Sequence, residues 1–130
     1  MKPVVKLFLE HADVYIFGPG RMELLLAVRE LGSLHKAAQK LGMSYRWAWG
    51  RINKLEKALG VVLLSRSGAA VSGRPKALTA EARLLMDWYA DASLKLGRVL
   101  DEAHTALPGF MQQVAPSSPQ RRQTKKMLLD

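Results

Sequence analysis

The spacing of apolar side chains along the chain changes period several times, and each change predicts an element. From Val4 to Phe17 the residues VVKLFLEHADVYIF are β-branched or aromatic and alternate with polar ones. Ala12-Asp13 sits where a turn would fall, so two short strands in a hairpin are predicted. Gly18-Pro19-Gly20 breaks the strand, and Arg21 to Leu31 reads as a helix with Met22, Leu25, Leu26 and Val28 turned inward. From Gly32 to Gly60 the pattern predicts a helix, a three-residue turn and a second helix. Ser33 is placed to cap the first of these, leaving Leu34, Ala37, Ala38 and Leu41 on one face. Gly42 stops it and Ser44 caps the next. The second helix carries Tyr45, Ala48, Trp49, Ile52, Leu55 and Leu59 at steps of three and four. Its other face shows Arg46, Trp47, Gly50, Arg51 and Lys54. A tight Gly-containing turn between two short helices makes a helix-turn-helix, whose second helix can enter a DNA major groove.

After Gly60, VVLLSR reads as a short strand, SGAAVSGRPK as a small basic loop, and Ala77-Leu78-Thr79 as a returning strand. Strand, basic loop and strand directly after such a helix make a wing, which would present Arg66, Arg74 and Lys76 to phosphates or the minor groove. Thr79 can cap a long helix reaching about Ala106. Within it Leu78, Ala82, Leu85, Tyr89, Ala92, Leu96, Val99 and Ala103 fall at alternating steps of four and three, the seam of a two-stranded coiled coil. Leu84 and Trp88 form a second stripe beside it. The expected dimer interface is Leu85, Trp88, Tyr89, Ala92, Leu96, Val99 and Ala103. From Leu107 onward, prolines, polar residues and the basic pairs Arg121-Arg122 and Lys125-Lys126 suggest a flexible basic tail. The expected organisation is residues 1–78 as a winged helix-turn-helix, 79–106 as a linker and dimerisation helix, and 107–130 as the tail. The fold class is mainly α with a small β component (α+β).

Charge sharpens this picture. The chain has 130 residues and a formal net charge of +9. Residues 1–30 hold four basic and four acidic side chains. Residues 31–77 hold nine basic side chains (Lys36, Lys40, Arg46, Arg51, Lys54, Lys57, Arg66, Arg74 and Lys76) against Glu56 alone, a net of +8. Residues 78–106 have three basic and five acidic, and the excess therefore gathers in the helix-turn-helix and wing. A polyanion partner is implied.

Other chemistries find little support. There is no Cys, hence no disulfide framework and no thiol nucleophile. His11, His35 and His104 fall in a turn, a basic helix and a helix end, without a carboxylate cluster or metal-ligand spacing. No GxxxxGK[ST] loop is present. No enzyme activity, metal or cofactor is expected. The apolar run from Val4 is interrupted by Lys6 and ends at Glu10, so neither a signal peptide nor a membrane span is expected, and the chain is placed in the cytoplasm.

The stretch GSLHKAAQKLGMSYRWAWGRINKLEKALG, with the hairpin before it and LLSR…ALTAEA after it, resembles the N-terminal DNA-binding domain of ModE-type molybdate-responsive regulators. It is more distantly similar to the winged helix-turn-helix of LysR-type regulators. The most specific part is LGMSYRWAW, Leu41 to Trp49. The resemblance covers roughly residues 4 to 105 and implies a winged helix whose long helix makes a homodimer on double-stranded DNA. Full-length ModE regulators carry a further oxyanion-binding region. The 24 residues after 106 are too few for one, so molybdate or tungstate binding is not expected. The expected function is sequence-specific transcriptional regulation. Arg46 and Arg51 would reach base edges. Ser33, Lys36, Ser44, Tyr45, Lys54, Arg66, Arg74 and Lys76 would hold phosphates, with Trp47 and Gly50 on the same face. The alternative is a winged-helix module for protein partners or for nucleic acid of any sequence, which an exposed Trp47 would suit.

Overall fold

The computed structural model describes residues 1–65 and 77–114. Its elements run β1 (Leu9–His11), β2 (Val14–Phe17), α1 (Pro19–Leu31), α2 (Leu34–Lys40), α3 (Tyr45–Leu59), β3 (Leu64–Ser65), β4 (Ala77–Leu78), α4 (Ala80–Thr105) and α5 (Gly109–Gln112).

The opening hairpin pairs His11 with Val14, Glu10 with Tyr15 and Leu9 with Phe17, with a bulge between Leu9 and Glu10. Ala12 and Asp13 both adopt positive φ, 51° and 63°. Such a two-residue turn matches the right-handed twist of its strands. The first strand is shorter than its alternation predicts: residues 4–8 do not join the ladder. Gly18 follows where the chain passes close to the hairpin; a Cβ there would lie 2.8 Å from Phe8 Cδ1 and 2.9 Å from Tyr15 Oη. Pro19 occupies the first turn of α1, where a missing N–H costs nothing, so the helix starts two residues earlier than expected.

The three helices bury one shared core. Leu24, Leu25 and Val28 of α1 meet Leu34, Ala37 and Ala38 of α2 and Ala48, Ile52 and Leu55 of α3. The Ala pair lets α2 approach closely. Ser33 Oγ accepts from the Lys36 N–H and Ser44 Oγ from the Trp47 N–H, both at 3.0 Å, so both expected caps form. Between them Gly42 takes φ 70°, the left-handed conformation that suits glycine and reverses the chain in a few residues. Two expected core positions are corrected. Leu26 is exposed and Leu24 takes its place. In a run of three leucines one must face outward, and Leu24 shares its face with Val28 four residues on. Leu59 is also exposed, because α3 ends there and the chain turns away at Gly60.

β3 and β4 pair antiparallel, Leu64 with Leu78 and Ser65 with Ala77, forming the base of a wing. Arg66, Arg74 and Lys76, expected in the wing, lie outside the described residues, as do Arg121, Arg122, Lys125 and Lys126. Thr79 caps α4 through Oγ1, which accepts from the Ala82 N–H at 3.2 Å and donates to the Val62 carbonyl at 2.6 Å. The long helix is thereby tied to the segment that leads into β3. After it, where a flexible tail is expected, Gly109–Gln112 makes one further helical turn.

The first half of α4 belongs to the domain core. Ala82, Met86 and Tyr89 are buried. The Tyr89 ring meets Phe17 edge to face at 5.1 Å, and its hydroxyl donates to the Leu7 carbonyl at 2.9 Å. Tyr89 is thus corrected: the heptad assigns it to a partner-facing seam, yet it is 7% exposed and committed to its own chain. Leu84, Trp88, Leu94 and Val99 remain exposed.

Candidate nucleic-acid interface

One side of α3 carries the exposed cationic chemistry. Arg46, Trp47, Gly50, Arg51 and Lys54 recur at three- and four-residue steps, opposite the buried Ala48, Ile52 and Leu55. With Arg21 of α1 they line a shallow cavity of about 270 Å³. The structure therefore brings together five of the residues expected on this face.

Arg21 was not expected there. It is 8% exposed, its Nη1 donates to the Ile16 carbonyl, and its guanidinium carbon lies 4.8 Å from the Tyr15 ring centroid. The hairpin thus anchors a cation beside α3. Local sequence carries no sign of this, since Arg21 sits in the stretch where basic and acidic residues balance.

Arg51 and Trp47, one turn apart, are also coupled. The guanidinium carbon of Arg51 lies 4.7 Å from the Trp47 ring centroid, a cation–π stack. Trp47 stays 59% exposed. Lys36 on α2 and Lys54 on α3 are exposed, suited to phosphates. Ser33 and Ser44 are engaged as caps through their acceptor oxygens. Tyr45 is half-buried, with its ring 5.7 Å from that of His35.

The lone acid of the region is turned away. Glu56 Oε2 accepts from the Leu63 N–H at 2.7 Å and the Leu64 N–H at 3.2 Å, fixing the start of the wing to the end of α3. The carboxylate serves the fold and leaves the exposed face of α3 cationic. At the other end, Lys40 pairs with Glu30 at 2.8 Å. Its hydrogen bond, and then its charge, hold the Glu30 carboxyl below the usual range.

Among the described residues no three His, Asp or Glu side chains gather into a possible metal site, and no helix is long and apolar enough to cross a membrane.

Comparison with known proteins agrees with this architecture. Residues 20–83 match the family described as bacterial regulatory helix-turn-helix protein, lysR family. The transcriptional regulator ModE of Haemophilus influenzae (strain ATCC 51907 / DSM 11121 / KW20 / Rd) is 32% identical over 71 residues, 55% of this chain. The chain spans only 28% of that relative's length. Among solved structures, the CbnR_DBD–DNA complex is similar at 30% identity and TM-score 0.51, over 66% of this chain and 93% of that one. The BenM_DBD/benA site 1 DNA complex shares the fold at 24% identity and TM-score 0.51, over 67% and 95%. The match over residues 20–83, just under half of the chain, identifies a helix-turn-helix domain of the lysR type.

Proposed function

We propose that this chain is a DNA-binding transcription regulator that acts as a homodimer, with α3 in the major groove and the wing on the backbone or minor groove. The observation that carries this reading is the acid-free, cationic face of α3, whose core-facing side is fully used inside the domain. The likeness to a domain solved as a DNA complex supports it. Arg46 and Arg51 reach base edges, where an Arg fork contacts guanine. Lys36, Lys54, Ser33, Ser44 and the Tyr45 hydroxyl hold phosphates and set register, joined by Arg66, Arg74 and Lys76 of the wing.

The dimer forms along α4. With Tyr89 turned into its own core, the stripe that meets a second copy is Leu85, Trp88, Ala92, Leu96, Val99 and Ala103, still at three- and four-residue steps. A dimer doubles the contacts and places two α3 helices on successive turns of one DNA face.

A binding selection from random duplex DNA at near-physiological salt tests the proposal. An enriched inverted repeat supports a sequence-reading dimer. Binding without an enriched sequence favours a phosphate-dominated architectural role, and no binding favours a protein-partner module.

A further inference from the structure

Charge alone does not account for Trp47. A large apolar ring stands exposed among cations, yet it is held in place, because Arg51 lays its guanidinium 4.7 Å from the ring centroid. Stacking uses the flat face of the guanidinium, whereas its N–H donors lie in the plane, so stacking and base contact do not compete. The contact thus holds the Arg51 guanidinium beside the ring in the free protein. Gly50 lies between the two along the helix, and a Cβ built there would meet nothing within 4 Å. A base edge can therefore approach the α3 backbone between Trp47 and Arg51.

We infer that the Trp47–Arg51 stack is one reading element for a thymine close to a guanine in duplex DNA, with Trp47 a specificity-determining residue. The inference rests on the DNA-binding reading above. In the major groove thymine presents a C5 methyl group and guanine the paired O6 and N7 acceptors. The ring edge of Trp47 takes the methyl, and the fork of Arg51 takes the two acceptors. Residues one turn apart lie about 6 Å apart along a helix. Base pairs stack about 3.4 Å apart, so the two bases lie within two steps of each other.

The test uses the selected duplex with each thymine replaced in turn by uracil, which lacks only the methyl, and each guanine by 7-deazaguanine, which lacks N7. One uracil position should weaken wild-type binding about fourfold, the value of one buried methyl group of about 0.8 kcal/mol. Trp47→Ala, and Trp47→Gln with its polar amide, should bind the thymine and uracil duplexes equally. Arg51→Ala should lose sensitivity to 7-deazaguanine within two pairs of that thymine. Circular dichroism establishes that the variants are folded. The inference is overturned if no uracil position matters to the wild type, or if either Trp47 variant keeps the discrimination. Failure of the wild type to bind duplex DNA at all would instead remove the DNA-binding reading, so the two failures are distinct.

Discussion

Glu56 Oε2 sits 2.7 Å from the Leu63 amide nitrogen, so the last turns of α3 hold the first residue of the buried segment leading into the wing. The same oxygen accepts from Leu64, and both leucines are buried. Glu56→Ala would leave two backbone N–H groups without this acceptor, a cost of about 1–3 kcal/mol. Glu56→Gln keeps one acceptor oxygen and should cost less. Denaturant unfolding of the three proteins gives the order wild type, Gln, Ala.

Tyr89 joins α4 to the segment before β1, and its hydroxyl is the tie. Tyr89→Phe should destabilise by about 0.5–1.5 kcal/mol while keeping the ring contact with Phe17. Burial, and secondarily the nearby Tyr15, push the Tyr89 hydroxyl above its ordinary value. The folded state therefore holds the proton more tightly than the unfolded one. That contribution is complete below the unfolded tyrosine value of about 10 and is lost as pH rises through the folded value. Wild type should lose stability more steeply than Tyr89→Phe when denaturation midpoints are followed into the alkaline range.

Because Tyr89 faces inward, it should be silent in assembly. Trp88→Glu and Val99→Glu place a carboxylate on the proposed dimer stripe and should shift sedimentation from dimer to monomer. Tyr89→Phe should sediment as wild type does.

Gly50 is in a helix interior with open space where a Cβ would stand. Gly50→Ala should stabilise the fold by about 0.5–1 kcal/mol through helix propensity. The same methyl projects on the side of α3 proposed to face DNA, so affinity for DNA should fall. A rise in melting temperature with weaker binding would establish this opposition; unchanged affinity would place Gly50 outside the contact surface.

Base and phosphate contacts should separate by their response to sequence and salt. Arg46→Ala should cost about 1–3 kcal/mol and relax preference at one base pair. Lys54→Ala should weaken binding to all sequences alike and reduce the slope of log K against log salt by about one. Electrophoretic titrations at several salt concentrations distinguish the two.

The local rules were legible in the chain by itself. Ser33, Ser44 and Thr79 cap helices because a hydroxyl reaches an amide within three residues, and Gly42 turns the chain because it lacks a side chain. The three- and four-residue periods identified the helices and the cationic face of α3, since side chains at those steps share one side of a helix. Periodicity does not say which of two adjacent faces the core will take. Tyr89 and Trp88 are consecutive, and only the position of Phe17 and Leu7 against α4 turned one inward and left the other exposed. Leu24 and Leu26 divided in the same way. Nor does local sequence report contacts between distant segments. Arg21 stands beside α3 because the hairpin holds it there through Tyr15 and Ile16, and Glu56 faces Leu63 because the chain reverses at Gly60. Helical faces follow from backbone geometry repeated every few residues, whereas the partners of those faces follow from how the helices pack.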